Sequence, residues 1–303
     1  MHDPFFPPYR PLQDLVTPWA QKYSLNTLPL HIHEVLIAFV AYHAVFLLSP
    51  FISTWLFPRH YASLKPRTRI NWDIHVVSLV QSTFISALGL YVMFTDKERG
   101  EHEHRVFGYT GIGGAAQAFA LGYFVWDLAM SAAYFDIFGI GFLAHAASAV
   151  IVFTLGFRPF VNYYGPIFVL FELSSPMLNF HWFFDKLNLT GSKPQLYNGL
   201  LLISTFFCCR IVWGPIQSFR VFRDVFDAYK NPPRTLEEGV PVPLWLALVY
   251  LGSNTVLNFL NYYWFGRMID TIRKRFTAPG SEKKKGEKGF KVVDAAGERT
   301  KKE

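Results

Sequence analysis

Between residues 139 and 186 the sequence GIGFLAHAASAVIVFTLGFRPFVNYYGPIFVLFELSSPMLNFHWFFDK sets four side chains able to do chemistry inside apolar runs long enough for a membrane. They are His145, Glu172, Asn179 and His181. Polar and ionisable groups at hydrocarbon depth are costly, and each is a functional-site candidate by default. His145 sits in a sleeve of Gly141, Ala144, Ala146, Ala147, Ser148 and Ala149. Such small neighbours let another helix, or a lipid chain, come close to the imidazole. The second run centres on Glu172-Leu-Ser-Ser-Pro176, where the proline cannot donate to the carbonyl of Glu172 and breaks the helix. At helical spacing Glu172, Ser175 and Asn179 share one face and His181 lies opposite. A bilayer tolerates a broken helix where it lines a cavity or is buried in protein. The expectation is two helices flanking a polar pocket inside a membrane.

The elements that must position this pocket are further apolar spans. Hydropathy predicts seven, at 31–57, 72–94, 109–134, 137–157, 161–184, 195–219 and 243–265, after a leader at 1–30 without periodicity. The second carries Asp73, His75, Gln81 and Ser82 in its first half, and the third carries Asp127. Arg210 falls near the middle of the sixth and needs a carboxylate or a water-filled cavity. Glu172, Asp127 and Asp73 are its candidate partners, with Glu172 preferred. Gly114, Ala118 and Gly122 make a small-xxx-small strip suited to close helix packing in lipid. Asn254, Asn258 and Asn261 stand at helical spacing and can bond across helices. The third and fourth spans, joined by a very short turn, should be antiparallel neighbours. The segment 220–242 reads as a long charged loop, and the chain after Arg267 as a basic disordered tail.

Composition agrees with this class. Of 303 residues, 51% are hydrophobic and 18% aromatic, above the soluble average, and mean hydropathy is positive. The fold class expected is therefore all-α, a polytopic membrane protein. The net charge of +7 gathers largely in the C-terminal tail, which suggests a cytosolic membrane surface and not nucleic acid. Lys283, Lys284 and Lys285 place the tail in the cytosol, and seven spans then put the leader in the lumen. No cleavable signal peptide is visible. The only two cysteines, Cys208 and Cys209, are adjacent in an apolar helix and read as packing residues.

No metal or cofactor is expected. His31-Ile-His33-Glu34 reads as polar residues at a helix's interfacial start, and Glu101-His-Glu103-His104 as a solvated charged turn. Gly111-Ile-Gly113-Gly114, with no strand before it, is no nucleotide loop. The repeated H-x-x-H-H clusters of iron-dependent desaturases are missing.

From about residue 67 to 275 the chain resembles the TLC domain family, which includes ceramide synthases and translocating-chain-associated membrane proteins. The residues that carry the resemblance are Trp72-Asp-Ile-His75, Gly122-Tyr-Phe-Val-Trp-Asp127, Phe142-Leu-Ala-His145, Phe171-Glu-Leu-Ser-Ser-Pro176, Asn179-Phe-His-Trp-Phe-Phe184 and Cys209-Arg-Ile211. The small non-synthase members concerned with lipid homeostasis are the nearest match. The resemblance implies six helices ringing a cavity in the bilayer, an added first span at 31–57, a tail at 276–303, and residence in the endoplasmic reticulum or secretory membranes. In the family, ceramide synthases and many smaller members carry two adjacent histidines where this chain has His145-Ala146. The first reading is thus a membrane protein that binds a lipid or fatty-acyl chain in a cavity lined by Asp73, His75, Asp127, His145, Glu172, Ser175, Asn179, His181 and Arg210. The second is an acyl-CoA-dependent N-acyltransferase of long-chain amines with His145 as its catalytic residue. The third is a purely structural role for these polar residues.

Overall fold

The computed structural model describes residues 7–101, 105–232 and 241–276. Within them the chain is helical, in the order α1 (Arg10–Lys22), α2 (Leu28–Leu56), α3 (Pro58–Ser63), α4 (Pro66–Thr95), α5 (Glu98–Glu101), α6 (Gly111–Ala133) and α7 (Phe135–Leu155). There follow α8 (Gly165–Val169), α9 (Ser175–Lys186), α10 (Lys193–Phe206), α11 (Gly214–Lys230) and α12 (Leu244–Phe276). Among the described residues five segments are long and apolar enough to cross a bilayer: Leu28–Leu56, Pro66–Thr95, Phe135–Leu155, Asn162–Lys186 and Lys193–Lys230. The protein is an all-α polytopic membrane protein. Its large apolar side chains point outward as well as inward, with Trp55 80% and Phe94 83% exposed. That pattern suits a hydrocarbon solvent, in which an outward apolar side chain costs nothing.

Local chemistry sets the boundaries. Proline occupies the first turn of α2, α4, α9, α10 and α11, where its missing N–H is one of the donors a helix leaves unused. The Thr110 hydroxyl accepts from Gly113 N and caps α6. The break expected at Pro176 is present. The span Asn162–Lys186 starts as a 3-10 turn at Asn162–Tyr164, becomes α8, tightens again to a 3-10 helix at Leu170–Ser174 and relaxes into α9. The facing span is also irregular: α10 and α11 are joined without a break by a π-helical segment, Phe207–Trp213.

Three boundaries differ from expectation. Residues 10–22 of the leader form α1, an amphipathic helix packed on α2, because Arg10, Gln13, Asp14 and Gln21 interrupt its apolar residues often enough to hide it from a hydropathy window. The segment 220–242 is helical through Lys230, where α11 buries Val221 and Val225 and turns its charges outward. The last helix likewise continues beyond Arg267 to Phe276. The residues 102–104 of the charged turn, and the tail from 277, lie outside the described residues.

The strip on α6 faces α2. A Cβ on Gly122 would stand 2.4 Å from the Val35 carbonyl oxygen and 2.6 Å from the Ala38 Cβ, and one on Gly114 would meet His31 and the Tyr109 hydroxyl. In lipid, helix association relies on such close packing because the surroundings are as apolar as the helices. α6 and α7, with only Tyr134 between them, pack side by side as expected. Around them a core forms from Val35, Ala38, Val77, Ile85, Ala118, Trp126 and Phe153. A second cluster includes Phe160, Tyr164, Val221 and Tyr250.

Filling the α2–α6 contact should loosen the bundle. Gly122→Val should lower stability by about 1–3 kcal/mol, the usual range for overpacking, whereas Gly252→Ala on α12, with nothing within 4 Å of the added Cβ, should be neutral or gain up to about 1 kcal/mol from helix propensity. Thermal unfolding of the purified protein measures both, and equal behaviour of the two variants would show that the contact does not matter.

Candidate functional site

Arg210 is the centre of the polar interior. It projects from the π-helical segment, is buried, and donates four hydrogen bonds to two other spans. Its Nε reaches the Phe171 carbonyl oxygen at 2.7 Å, Nη1 reaches Asn261 Oδ1 at 3.0 Å, and Nη2 reaches both Glu172 Oε1 and Ser175 Oγ at 3.2 Å. The preferred partner, Glu172, is thus the observed one. The Phe171 bond has a further role, since a carbonyl in a broken helix at membrane depth needs a donor. Phe171 also lies so near α11 that a Cβ on Gly214 would be 2.8 Å from its ring. The 3-10 and π-helical segments therefore touch with Arg210 as the connecting side chain.

Beside this centre lies a narrow cavity of about 60 Å³. Its walls come from α4, α6, α7, the broken span and α12, and are mostly apolar: Ile85, Phe124, Phe153, Phe168, Val169 and Leu257. The polar side chains in the wall are Gln81, Gln117, His145, Glu172, Asn254 and Asn261. Along α7 the lining runs from His145 to Gly156, a rise of roughly 16 Å at the helical repeat. The His145 ring packs edge-on against Phe124 at 6.1 Å and Trp264 at 5.5 Å, measured between ring centres. Gln117 closes the far end by donating to the Phe153 carbonyl and accepting from Asn162.

Of the nine residues expected to line one cavity, His145 and Glu172 do so; Arg210 stands behind Glu172 as its partner, and Ser175 accepts from Arg210. The others lie elsewhere, for reasons visible in their bonding. Asp73 is buried between α2 and α3, where its carboxylate accepts from Ser49 at 2.6 Å and from Tyr61 at 2.9 Å. His75 stacks on Trp182 and its Nδ1 lies 2.7 Å from Asn179 Oδ1, while Asn179 donates to Ser78. His181, on the opposite face of α9 as expected, meets Gly199 of α10. Asp127 is half-exposed on α6, outside the lining. Three of these five are joints between helices and not cavity wall. Asn258 and Asn261 do bond across helices, to Ser218 and Arg210.

Sequence reading missed two features. Gln81 and Asn254 line the cavity, yet only long-range packing reveals this. His31 and Glu34, at the start of α2, are buried within the protein: His31 Nδ1 lies 2.6 Å from Glu34 Oε2, and its Nε2 lies 2.5 Å from the Tyr109 hydroxyl. Their i, i+3 spacing was the available signal, since it puts both on one helix face. Among the described residues no group of three or more His, Cys, Asp or Glu could hold a metal.

The pair at the centre invites a double-mutant cycle. Breaking a buried ion pair from one side costs about 3–5 kcal/mol, so Arg210→Leu should lower thermal stability sharply and adding Glu172→Gln should recover part of the loss. Glu172→Gln alone should be milder, because Arg210 keeps three other acceptors. Strictly additive losses would mean that the two side chains do not interact.

Comparison with known proteins bears on what such a bundle is. The sequence model of the TLC domain matches residues 71–270, from α4 to α12. A TLC domain-containing protein of Schizosaccharomyces pombe is 43% identical over 264 residues, covering 87% of this chain and 86% of that one. Topoisomerase I damage affected protein 4 of Saccharomyces cerevisiae is 30% identical over 270 residues, 86% of this chain and 91% of its own. Human TLC domain-containing protein 4 is 28% identical over 225 residues, 72% and 81% of the two chains. None of these three is named a ceramide synthase, which fits a non-synthase member, and the chain belongs to the TLC domain family.

Proposed function

We propose that the protein binds a lipid or fatty-acyl chain in the cavity between α4, α6, α7 and α12, and acts in lipid homeostasis without catalysis. The observation that carries this reading is the shape and chemistry of the cavity: a narrow apolar slot at membrane depth, walled by several spans, with polar groups gathered near His145 and Glu172. A slender chain suits the apolar stretch toward Phe160, and hydrogen-bonding groups suit the other part. The bundle has seven spans in this reading, with α6 and α12 added to the five most apolar segments. It resides in the endoplasmic reticulum or secretory membranes with its N-terminus lumenal and its basic tail cytosolic.

The second reading, acyl transfer from acyl-CoA to a long-chain amine, has one observation in its favour, the place of His145 on the cavity wall. Against it stands Ala146, where synthases carry a second histidine. Ala146 is fully buried and outside the lining, about 100° round the helix from His145. A histidine there would be forced into packed protein and not into the slot, so the small neighbours noted in the sequence do not make room for it.

Purified protein in lipid nanodiscs should retain chain-bearing lipid detectable by native mass spectrometry, and His145→Phe, which fills the slot, should reduce it. Sphingoid base and acyl-CoA should not turn over; robust ceramide formation lost in His145→Ala would overturn the binding reading in favour of the enzyme. For orientation, a glycosylation acceptor engineered before His31 should be used and one within 280–303 should not, and the reverse pattern would invert the topology.

A further inference from the structure

Gln81 is the feature of the cavity that chain binding alone does not explain. It sits mid-way along α4, is 0% exposed, and lines the slot, yet neither its Nε2 nor its Oε1 has a hydrogen-bond partner. Leaving a buried amide unsatisfied is costly, and an apolar residue of the same size would suit an acyl chain better. Asn261, across the same cavity, has its Oδ1 occupied by Arg210 while its Nδ2 is also without a partner. The wall therefore offers two NH₂ groups without a partner, Gln81 Nε2 and Asn261 Nδ2, and one acceptor oxygen, Gln81 Oε1.

These groups restrict what can sit against them. A carboxylate satisfies donors but leaves the Gln81 oxygen without a proton, and it would face Glu172 while the Arg210 fork is already engaged in four bonds. An ammonium supplies protons only and leaves both N–H groups unfilled. Either would also add a net charge beside an ion pair that is already balanced, at a depth where uncompensated charge is expensive. A hydroxyl carries one donor and two acceptor lone pairs, and a primary amide carries a carbonyl with two lone pairs and an NH₂. Each can accept from both NH₂ groups and donate to the Gln81 oxygen at the same time.

Resting on the chain-binding reading above, we infer that the ligand is a single-chain lipid whose polar group is an uncharged alcohol or primary amide, seated against Gln81, with its chain running along α7 toward Phe160. The polar group lies within the bilayer and not at its surface, and Gln81 is the residue that selects it.

The test uses five probes of one saturated chain length ending in a primary amide, an alcohol, a carboxylate, a primary amine or a methyl group. Each competes with a fluorescent chain on the full-length protein in nanodiscs. In the wild type the amide and alcohol should bind about tenfold tighter than the carboxylate and amine, the scale of one well-made hydrogen-bond set. Gln81→Leu should bring the amide and alcohol to the level of the alkane, and should raise thermal stability in the absence of probe. Carboxylate or amine binding as tight as the amide in the wild type overturns the inference, and this ranking stands even if the variant does not fold. An unchanged ranking in Gln81→Leu overturns it as well, and would assign the amide's partners to trapped water. If all five probes bind equally, this inference alone fails; if none binds, the alkane included, the chain-binding reading fails with it.

Discussion

One arginine fixes the architecture of the polar interior. A guanidinium in a bilayer must be neutralised and its donors used, and Arg210 meets both demands through two neighbouring spans at once. That requirement brings two irregular segments together. The 3-10 helix at Leu170–Ser174 presents Glu172 and the Phe171 carbonyl, and the π-helical segment Phe207–Trp213 carries Arg210 toward them. Both irregularities keep their backbone groups bonded, in i→i+3 and i→i+5 patterns, and so are compatible with a bilayer. They pack against each other with Gly214 at the contact, while Phe207, Cys208 and Val212 on the far side of the π-helical segment stay exposed. The α12 helix is then held by Asn261, so a single side chain sets the positions of three of the cavity's neighbours.

The opposite side of the bundle is held differently. α2 and α6 meet through glycine and alanine, with little polar bonding along the strip, and gain from dispersion between closely spaced backbones. Where polar groups do occur there they are at the ends, as with His31, Glu34 and Tyr109 beside Gly114. The two modes suit what each side does. Small-residue packing gives a tight, apolar wall against which α7 can lie, and the arginine-centred side leaves space next to it.

The sequence carries the fold class and the arginine–glutamate pair because both depend on strong local signals. Long apolar runs identify spans, Pro176 identifies the break, and a charge at hydrocarbon depth demands an opposite charge. It does not carry α1 or the end of α11, whose amphipathic patterns mix polar and apolar residues below any hydropathy threshold. Nor does it carry the π-helical form of Phe207-Cys-Cys-Arg-Ile-Val-Trp213: Gly214 and Pro215 directly after it mark an irregularity, since the proline has no N–H for the Ile211 carbonyl, but not its type. The cavity wall was legible only in part. Glu172 and His145 stand out in a sequence because they are ionisable, while Gln81 and Asn254 look like ordinary amides of the kind that glue helices in lipid.

What separates the glue from the site is the state of the hydrogen bonds. Asp73, His75 and Asn179 are as polar and as deeply placed as the cavity residues, yet their bonds are made within the protein, to Ser49, Tyr61, Ser78 and each other. A group so satisfied has nothing to offer a ligand, and removing a partner would only leave a buried polar atom exposed to hydrocarbon. Gln81 and the Nδ2 of Asn261 have the reverse property. In water such vacancies would be filled by solvent at no cost, and they would say little about function. At membrane depth the alternatives are a trapped water or the polar part of a lipid, so polarity is a poor guide to a site and unsatisfied polarity facing a cavity is a good one. By that criterion the functional surface we propose for this bundle is the wall lined by Gln81, His145, Glu172 and Asn261, and the conspicuous polar cluster around Asp73 is a hinge pin that holds α2, α3 and α4 together.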